Sequence, residues 1–338
     1  MRGKVTIQQI ADLAGVSKFA VSRALSNKSG VSIQTKEMIL KAAGQLGYFN
    51  QRPNYNPGEP VDEDNVMEAG TIVILFPNIR FQNHDSVYWG PIFDGISSRL
   101  NQKGLDIITL TEPSGEKVFS LLNPNAIQGI ITLGLISTQI LLEIKRLSIP
   151  VVMVDHIDPA YHCDSVFVDN FACMRDLMVQ LISKGYKEFQ FVGSIAYSPS
   201  FYERWLAYRS VLEEFQIENN QHPRLIGAEA GDQLYKVVAD VADEFLPEVY
   251  VCANDFNALA TIQILKEKGI PVPGKCMVTG YDNTYAHEID PPFMTVDVNK
   301  ELLGKRAVDK LLWRIANRSS NIEKTLIYGE VITTNGLK

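Results

Sequence analysis

The chain has 338 residues, 46% of them hydrophobic and 21% charged, which is the composition of an ordinary globular protein long enough for two or three cores. Its 39 acidic residues outnumber 32 basic ones, giving a net charge of -7, so the whole is no general polyanion binder. Apolar runs such as "TIVILF" and "IPVVMV" are too short to span a bilayer, and the first residues lack a secretory apolar stretch. The four cysteines, Cys163, Cys173, Cys252 and Cys276, form no CxxC pair and read as reduced thiols, not a zinc site. The expectation is a cytoplasmic protein with no membrane contact, no metal and no cofactor.

The first 52 residues break the acidic pattern, with eight basic side chains against Asp12 and Glu37. A basic head on an acidic body points to a polyanion partner for the head alone. Thr6 and Gln9 are spaced as a capping box. Ile7, Ile10, Ala11 and Ala14 then lie on one helical face, which Gly15 ends. Ser17 caps a second helix with Ala20, Val21, Ala24 and Leu25 inside. After a turn over Asn27–Gly30, Ser32 opens a third helix burying Ile39, Ala42, Ala43 and Leu46. A short turn between two small-faced helices is helix-turn-helix geometry. Lys18, Phe19, Ser22 and Arg23 then point outward, where base edges and phosphates would lie.

From Thr71 onward the apolar runs "TIVILF", "LDIITL", "IQGIITL" and "IPVVMV" alternate with amphipathic stretches such as Ser137–Leu147. The pattern restarts after "SVFVD" with "EFQFVG", "EVYVCAN" and "CMVTGY", separated by helices over 170–184, 201–216 and 256–268. Alternating strands and helices predict an α/β fold with two parallel doubly wound sheets, hence two lobes binding ligand at strand carboxyl ends in a cleft. Polar residues stand just past several strands: Asp155, Asn254, Asp255 and Asp282. A lone buried polar group is costly without a partner, so each is a binding candidate or a helix cap, Asp255 more readily a cap. The five histidines show no HExxH, and neither GxSxG nor a phosphate-binding loop occurs, so the chain reads as no enzyme.

The stretch "TIQQIADLAGVSKFAVSRALSN…VSIQTKEMILKAAGQLGY" resembles, without a gap, the DNA-binding head of the lactose/purine repressor family of bacterial transcriptional regulators. The motifs "GIITLG", "IPVVMVDH", "VFVDNF", "ERWLAYRSVL", "VCANDFNALA", "VTGYDNT" and "LLGKRAVDKLL" extend the resemblance to that family's effector-binding core, which is built like a periplasmic sugar-binding protein. The resemblance implies a helix-turn-helix domain over 1–52, a hinge over 53–69 and a core over 70–338. Lobe 1 would comprise about 70–162 and 291–322, and lobe 2 about 163–290 and 323–338. Lys18, Phe19 and Arg23 occupy the family's base-reading positions, and Thr6, Ser17, Ser22, Asn27 and Ser32 its capping and phosphate-contacting ones. Phe19 could meet a thymine methyl or cover the helix pair. Arg204, Asn254 and Asp282 would grip the effector, faced by Asp155, with Tyr88 and Trp89 as the aromatic pair; the role of Trp205 stays open between stacking and core. The implied function is an effector-responsive, sequence-specific regulator, most often a repressor of a carbohydrate-related operon. Its implied partners are operator DNA, a sugar or sugar derivative, and a second copy of the chain. A solute-binding receptor without a transcriptional role is the alternative, disfavoured by the basic head.

Departures from the family pattern are local. "NIRFQNHD" is longer than usual, which brings in Arg80 and His84. Ala207 and Cys173 replace glycines, and Lys300 replaces an aromatic. The clearest departure is "QRPNYNPGEPVDEDNVMEAG", residues 51–70. The family's hinge forms a helix on DNA and wedges a leucine into the minor groove; here Pro57 takes that position and Pro53 lies one turn earlier. An interior proline costs a helix about 3 kcal/mol, and the acids that follow repel phosphate. The other reading is a slipped pairing in which Val61 or Val66 supplies the wedge. We expect no regular hinge helix before Val61 and a shallower DNA bend. Circular dichroism on operator binding tests this: helix gain over residues 51–59 with a side chain inserted between base pairs contradicts it.

Overall fold

A computed structural model describes residues 5–26, 28–46, 48, 70–79, 82–112, 126–285 and 292–334. Asn27, Arg80 and the expected hinge over 53–69 lie outside the described residues. Two units emerge, one from the chain up to Val166 with Glu301–Thr325, the other from Phe167–Lys300 with the segment from Leu326 onward.

The head of the first unit is three helices: α1 (Ile7–Ala14), α2 (Lys18–Leu25) and α3 (Ile33–Gln45). The Thr6 hydroxyl accepts from Gln9 N while Gln9 Oε1 accepts from Thr6 N at 2.9 Å, so two amides that α1 cannot satisfy internally are paired. Gly15 ends α1 in left-handed backbone, φ 64°. Ile10, Val21, Ile39 and Ala43 are wholly enclosed, with Ala11, Ala14, Ala24 and Ala42 between them. Ile7, expected on the buried face, is instead 39% exposed because a three-helix head has too little mass to cover the first turn of α1.

The body of the first unit is a six-stranded sheet in the order β10-β5-β4-β3-β1-β2, from β1 (Thr71–Phe76), β2 (Asp106–Thr111), β3 (Ile127–Leu133), β4 (Val151–Val154), β5 (Asp164–Val168) and β10 (Lys324–Ile327). The pairs β1–β2, β1–β3, β3–β4 and β4–β5 are parallel, the order of a doubly wound sheet. Helices α4 (Trp89–Gln102), α5 (Thr138–Arg146) and most of α10 (Lys300–Ala316) belong to it. Apolar faces of β1, β3, β4 and α5 form one core, including Val73, Ile130, Leu141 and Met153.

The second unit holds a five-stranded sheet, order β11-β9-β8-β7-β6, from β6 (Phe189–Val192), β7 (Val249–Cys252), β8 (Met277–Thr279), β9 (Met294–Asp297) and β11 (Glu330–Thr333). It is parallel from β6 to β9, but β11 runs antiparallel to β9, a departure from the all-parallel expectation that caps one edge. Side chains cap the other edge. Gln221 presents Oε1 to Phe191 N and Nε2 to Phe191 O, while Gln190 bonds Asn220 O and His222 N. Two amides thus do for β6 what a neighbouring strand would, and protect its edge. The helices are α6 (Asn170–Ser183), α7 (Pro199–Glu214), α8 (Asp232–Glu244) and α9 (Asp255–Glu267).

The chain changes units at Val166/Phe167, Lys300/Glu301 and Thr325/Leu326. The lobe boundaries expected near 162 and 322 therefore shift by a few residues, and the one near 291 shifts to 300. Pairing of β9 with β8 and β11 keeps residues 294–297 in the second sheet.

One ion pair locks the return of the chain from α10 to β10. Arg314 meets the enclosed Asp164 carboxylate through Nε (2.5 Å) and Nη2 (2.8 Å). Its remaining donors take the carbonyls of Asn317, Ser320 and Asn321, and Asp164 also accepts from Glu323 N. A bidentate guanidinium with every donor engaged is the geometry in which a buried charge is tolerated. Arg314→Met leaves Asp164 buried and unpaired, and we expect a loss of about 3–5 kcal/mol, read as a lower urea midpoint.

Candidate nucleic-acid interface and effector site

In the head, Ser17 and Ser32 spend their hydroxyls as caps, accepting from Ala20 N (3.2 Å) and Thr35 N (3.1 Å), as Thr6 does for α1. Capping fixes where each helix starts and so fixes which face of α2 is outward. Val21 and Ala24 face the core; Lys18, Phe19 and Ser22 face away, with Phe19 68% exposed. Phe19 therefore does not cover the helix pair. Arg23 departs from the expected reading position. Its guanidinium bonds Ser29 O, through Nε at 2.6 Å and through Nη2, lies 5.3 Å from the Phe19 ring centre, and packs on Gly30 at φ 101°. It braces the turn between α2 and α3. On the far side of the head, Glu37 accepts from Thr138 N at the start of α5 (2.6 Å), and Gly44 lies against the Pro159–Ala160 main chain.

In the second unit the site is built on Arg204, 2% exposed on α7, which starts with Ser198 as cap and Pro199 in its first turn. Three of its donors are aimed at three different chain segments. Nε bonds Asn170 Oδ1 (2.9 Å), Nη1 bonds Ala253 O (2.6 Å) and Nη2 bonds Asp282 Oδ1 (3.1 Å). The Tyr281 ring lies 3.6 Å from the guanidinium carbon, a cation–π contact in a desolvated place. Asp282 follows β8 with φ 96°, a conformation costly for any residue but glycine.

Asn254 is not among the partners of Arg204. Its Oδ1 accepts from Asn257 N (3.0 Å) and caps α9. Asp255, expected as the cap, instead ties down the chain after β8, accepting from Thr284 N (2.6 Å), Tyr285 N and the Thr295 hydroxyl (2.7 Å). Burial pushes its carboxyl up to about 6 in spite of these donors.

In the first unit Asp155 follows β4 with φ 54°. The two strand-end aspartates of the expected site thus share a left-handed backbone, which concentrates at functional positions. Tyr88 and Trp89 meet edge to face, 5.0 Å apart, where α4 begins. Trp89 is only 7% exposed, packed beside Gly134, where φ is 67° and a Cβ would strike Gln82 and Trp89. Trp89 is thus a supporting wall and not an open platform. Gln82, from the long "NIRFQNHD" segment, holds Leu135 N. Trp205 is core, stacked on Tyr208 and edge-on to Phe191.

Residues 6–51 match the model for bacterial regulatory proteins of the lacI family, and residues 179–333 match the periplasmic binding protein-like domain. The chain thus carries a head similar to that of the lacI family and a domain similar to the periplasmic binding protein-like one. The chain is 28% identical over 337 residues to the HTH-type transcriptional regulator GalR of Lacticaseibacillus casei, with 95% of this chain and 98% of the relative aligned. It is 24% identical to the HTH-type transcriptional repressor PurR of Pasteurella multocida, with 98% of each covered. In fold it is similar to the CelR–cellobiose complex, with a TM-score of 0.71 at 21% identity, 98% of this chain and 100% of that chain being covered. It also resembles the Lac repressor dimer bound to operator and the anti-inducer ONPF, with a TM-score of 0.64 at 20% identity, 99% and 100% being covered. Among the described residues, no helix is long and apolar enough to cross a membrane and no His, Cys, Asp and Glu cluster could hold a metal ion.

Sequence reasoning missed Asn170, the Ala253 carbonyl and Tyr281. Asn170 and Tyr281 lie inside motifs already singled out, "VFVDNF" and "VTGYDNT", but their convergence on Arg204 exists only in three dimensions. For Asp255 the folded carboxyl holds its proton more tightly than the unfolded one, whose value is near 4. Its contribution to stability is therefore present below the unfolded value and lost as pH rises through about 6. Between pH 7 and pH 5 we expect wild type to gain about 1 kcal/mol relative to Asp255→Asn. Unfolding of both proteins across that range checks it.

Proposed function

We propose that this chain is a member of the lacI family and an effector-responsive transcriptional regulator, most often a repressor, acting in the cytoplasm as a homodimer and without catalytic activity of its own. The observation that carries the reading is the outward face of α2, where Lys18, Phe19 and Ser22 stand exposed on a helix fixed by its Ser17 cap. A helix of this kind lies in the major groove, Lys18 reaching guanine or phosphate and Phe19 a thymine methyl. Two heads would read two half-sites about one turn apart. Arg204 and Asp282 of the second unit, with Asn254, are proposed to hold a small polyhydroxylated effector, and Asp155, Tyr88 and Trp89 are the candidates that the first unit offers for contact with it. A guanidinium and carboxylates offer hydroxyl groups donors and acceptors together. The cellobiose bound to the similar CelR supports a sugar as the class.

Fluorescence anisotropy on an operator enriched from random DNA tests the head. Lys18→Ala should weaken binding by about 1–3 kcal/mol, and wild-type affinity should fall steeply with salt. Arg23→Ala should cost a similar amount, in part through the loosened turn, so it should also lower the melting temperature of the head. Equal affinity of Lys18→Ala and wild type across a salt titration removes α2 from the interface. Arg204→Ala should abolish any sugar-induced change in operator affinity and leave binding of the operator itself intact.

A further inference from the structure

Lys300 has a place of its own in the structure. It is the first residue of α10 and the last residue of the second unit; from Glu301 the chain belongs to the first. Its ammonium bonds the main-chain oxygen of Asp282 at 2.5 Å. The backbone it reaches is the least comfortable in the site. Asp282 has φ 96° and Asn283 φ 47°. Such a pair holds its shape only when its surroundings over-determine it. Three bonds do so: Asp282 N to Val296 O (3.0 Å), Asn283 Nδ2 to Asp297 Oδ1 (2.8 Å), and the Lys300 ammonium on Asp282 O. The first two anchor the turn to β9 within its own sheet. Lys300 alone among the three anchors it to the point where the chain leaves the unit.

Beyond that point α10 is held firmly. The Cα of Gly304 lies against Ile92 O and that of Gly95 against Glu301 O, leaving no room for a Cβ at either crossing of α10 with α4. A helix seated glycine to backbone cannot slide without moving its partner, and α4 begins at Trp89. Burial alone lowers the affinity of the Lys300 amine for its proton, while Asp282, Asp297 and Asp255 oppose that loss. A desolvated ammonium is worth retaining there for what it holds.

We propose that Lys300 is a positioning residue that fixes the left-handed backbone presenting the Asp282 carboxylate to Arg204 and transmits the state of that turn to the first turns of α10. The proposal rests on Arg204 and Asp282 being the effector site, and its test is run without effector, so failure bears on Lys300 alone. Hydrogen exchange is measured on full-length wild type, Lys300→Met and Lys300→Arg. Lys300→Met should accelerate exchange at least tenfold both at residues 282–285 and at the α10 amides from Gly304 to Val308. Lys300→Arg, which can still reach the Asp282 oxygen, should restore protection at both; rescue by a second cation separates positioning from mere filling of space. Exchange in Lys300→Met within twofold of wild type at both segments overturns the proposal. Acceleration at 282–285 with α10 unmoved overturns the transmission. If Lys300→Met also loosens β7, the comparison passes to Lys300→Arg against Lys300→Gln, and equal protection in those two overturns the role of the charge.

Discussion

A guanidinium buried to 2% exposure must be answered on every side, and the second unit is arranged to answer Arg204. One donor goes to the first residue of α6, one to the residue after β7 and one to the third residue after β8. Three strand-to-helix or strand-end junctions are thereby fixed relative to one side chain. That convergence explains why Asp282 tolerates left-handed backbone, since relaxing its φ would withdraw its carboxylate from the buried charge. It also explains the nearness of Tyr281, whose ring face adds to the shell around the guanidinium.

The first unit uses the same device for a different end. Arg314 and Asp164 are also closely bonded, but the donors of Arg314 go to Asp164 at the start of β5 and to carbonyls of the loop before β10, none toward a strand carboxyl end. Geometry, and not burial or charge, separates the structural pair from the candidate binding pair. In the head the division is sharper still. Thr6, Ser17 and Ser32 cap their helices, Arg23 braces a turn, and Lys18, Phe19 and Ser22 stand exposed. The basic charge of the first 52 residues then has a physical use, for an acidic body cannot approach phosphate and a basic head can.

Much of the fold was legible because it rests on local signals. Alternating apolar runs marked β1 to β4 and β6 to β8, and the Thr6–Gln9 spacing marked the start of α1. Legibility failed where a decision belonged to tertiary structure. Asn254 and Asp255 are both competent caps, and only the extended backbone at Asn254 decides between them. The return of the chain at Lys300 instead of residue 291 depends on β9 finding β8, which no local pattern announces. Ile7 fits its helical face yet has nothing to pack beneath. Of the candidate site, Arg204 and Asp282 were placed by resemblance to a family; the residues alone said only that polar groups stood at strand ends. Arg23 was placed with the base readers, and its bond to Ser29 could not be foreseen from a helix wheel.

The dependence of the second unit on its central ion pair is most directly tested by a double-mutant cycle of Arg204→Met and Asp282→Leu, read by urea unfolding of the full chain. Each single replacement leaves the opposite charge buried without its partner, whereas the double replacement removes both. The double variant is therefore expected to lose less stability than the two singles together, by about 1–3 kcal/mol. Additive losses would contradict the account, because they would mean that Arg204 and Asp282 stand side by side without depending on each other.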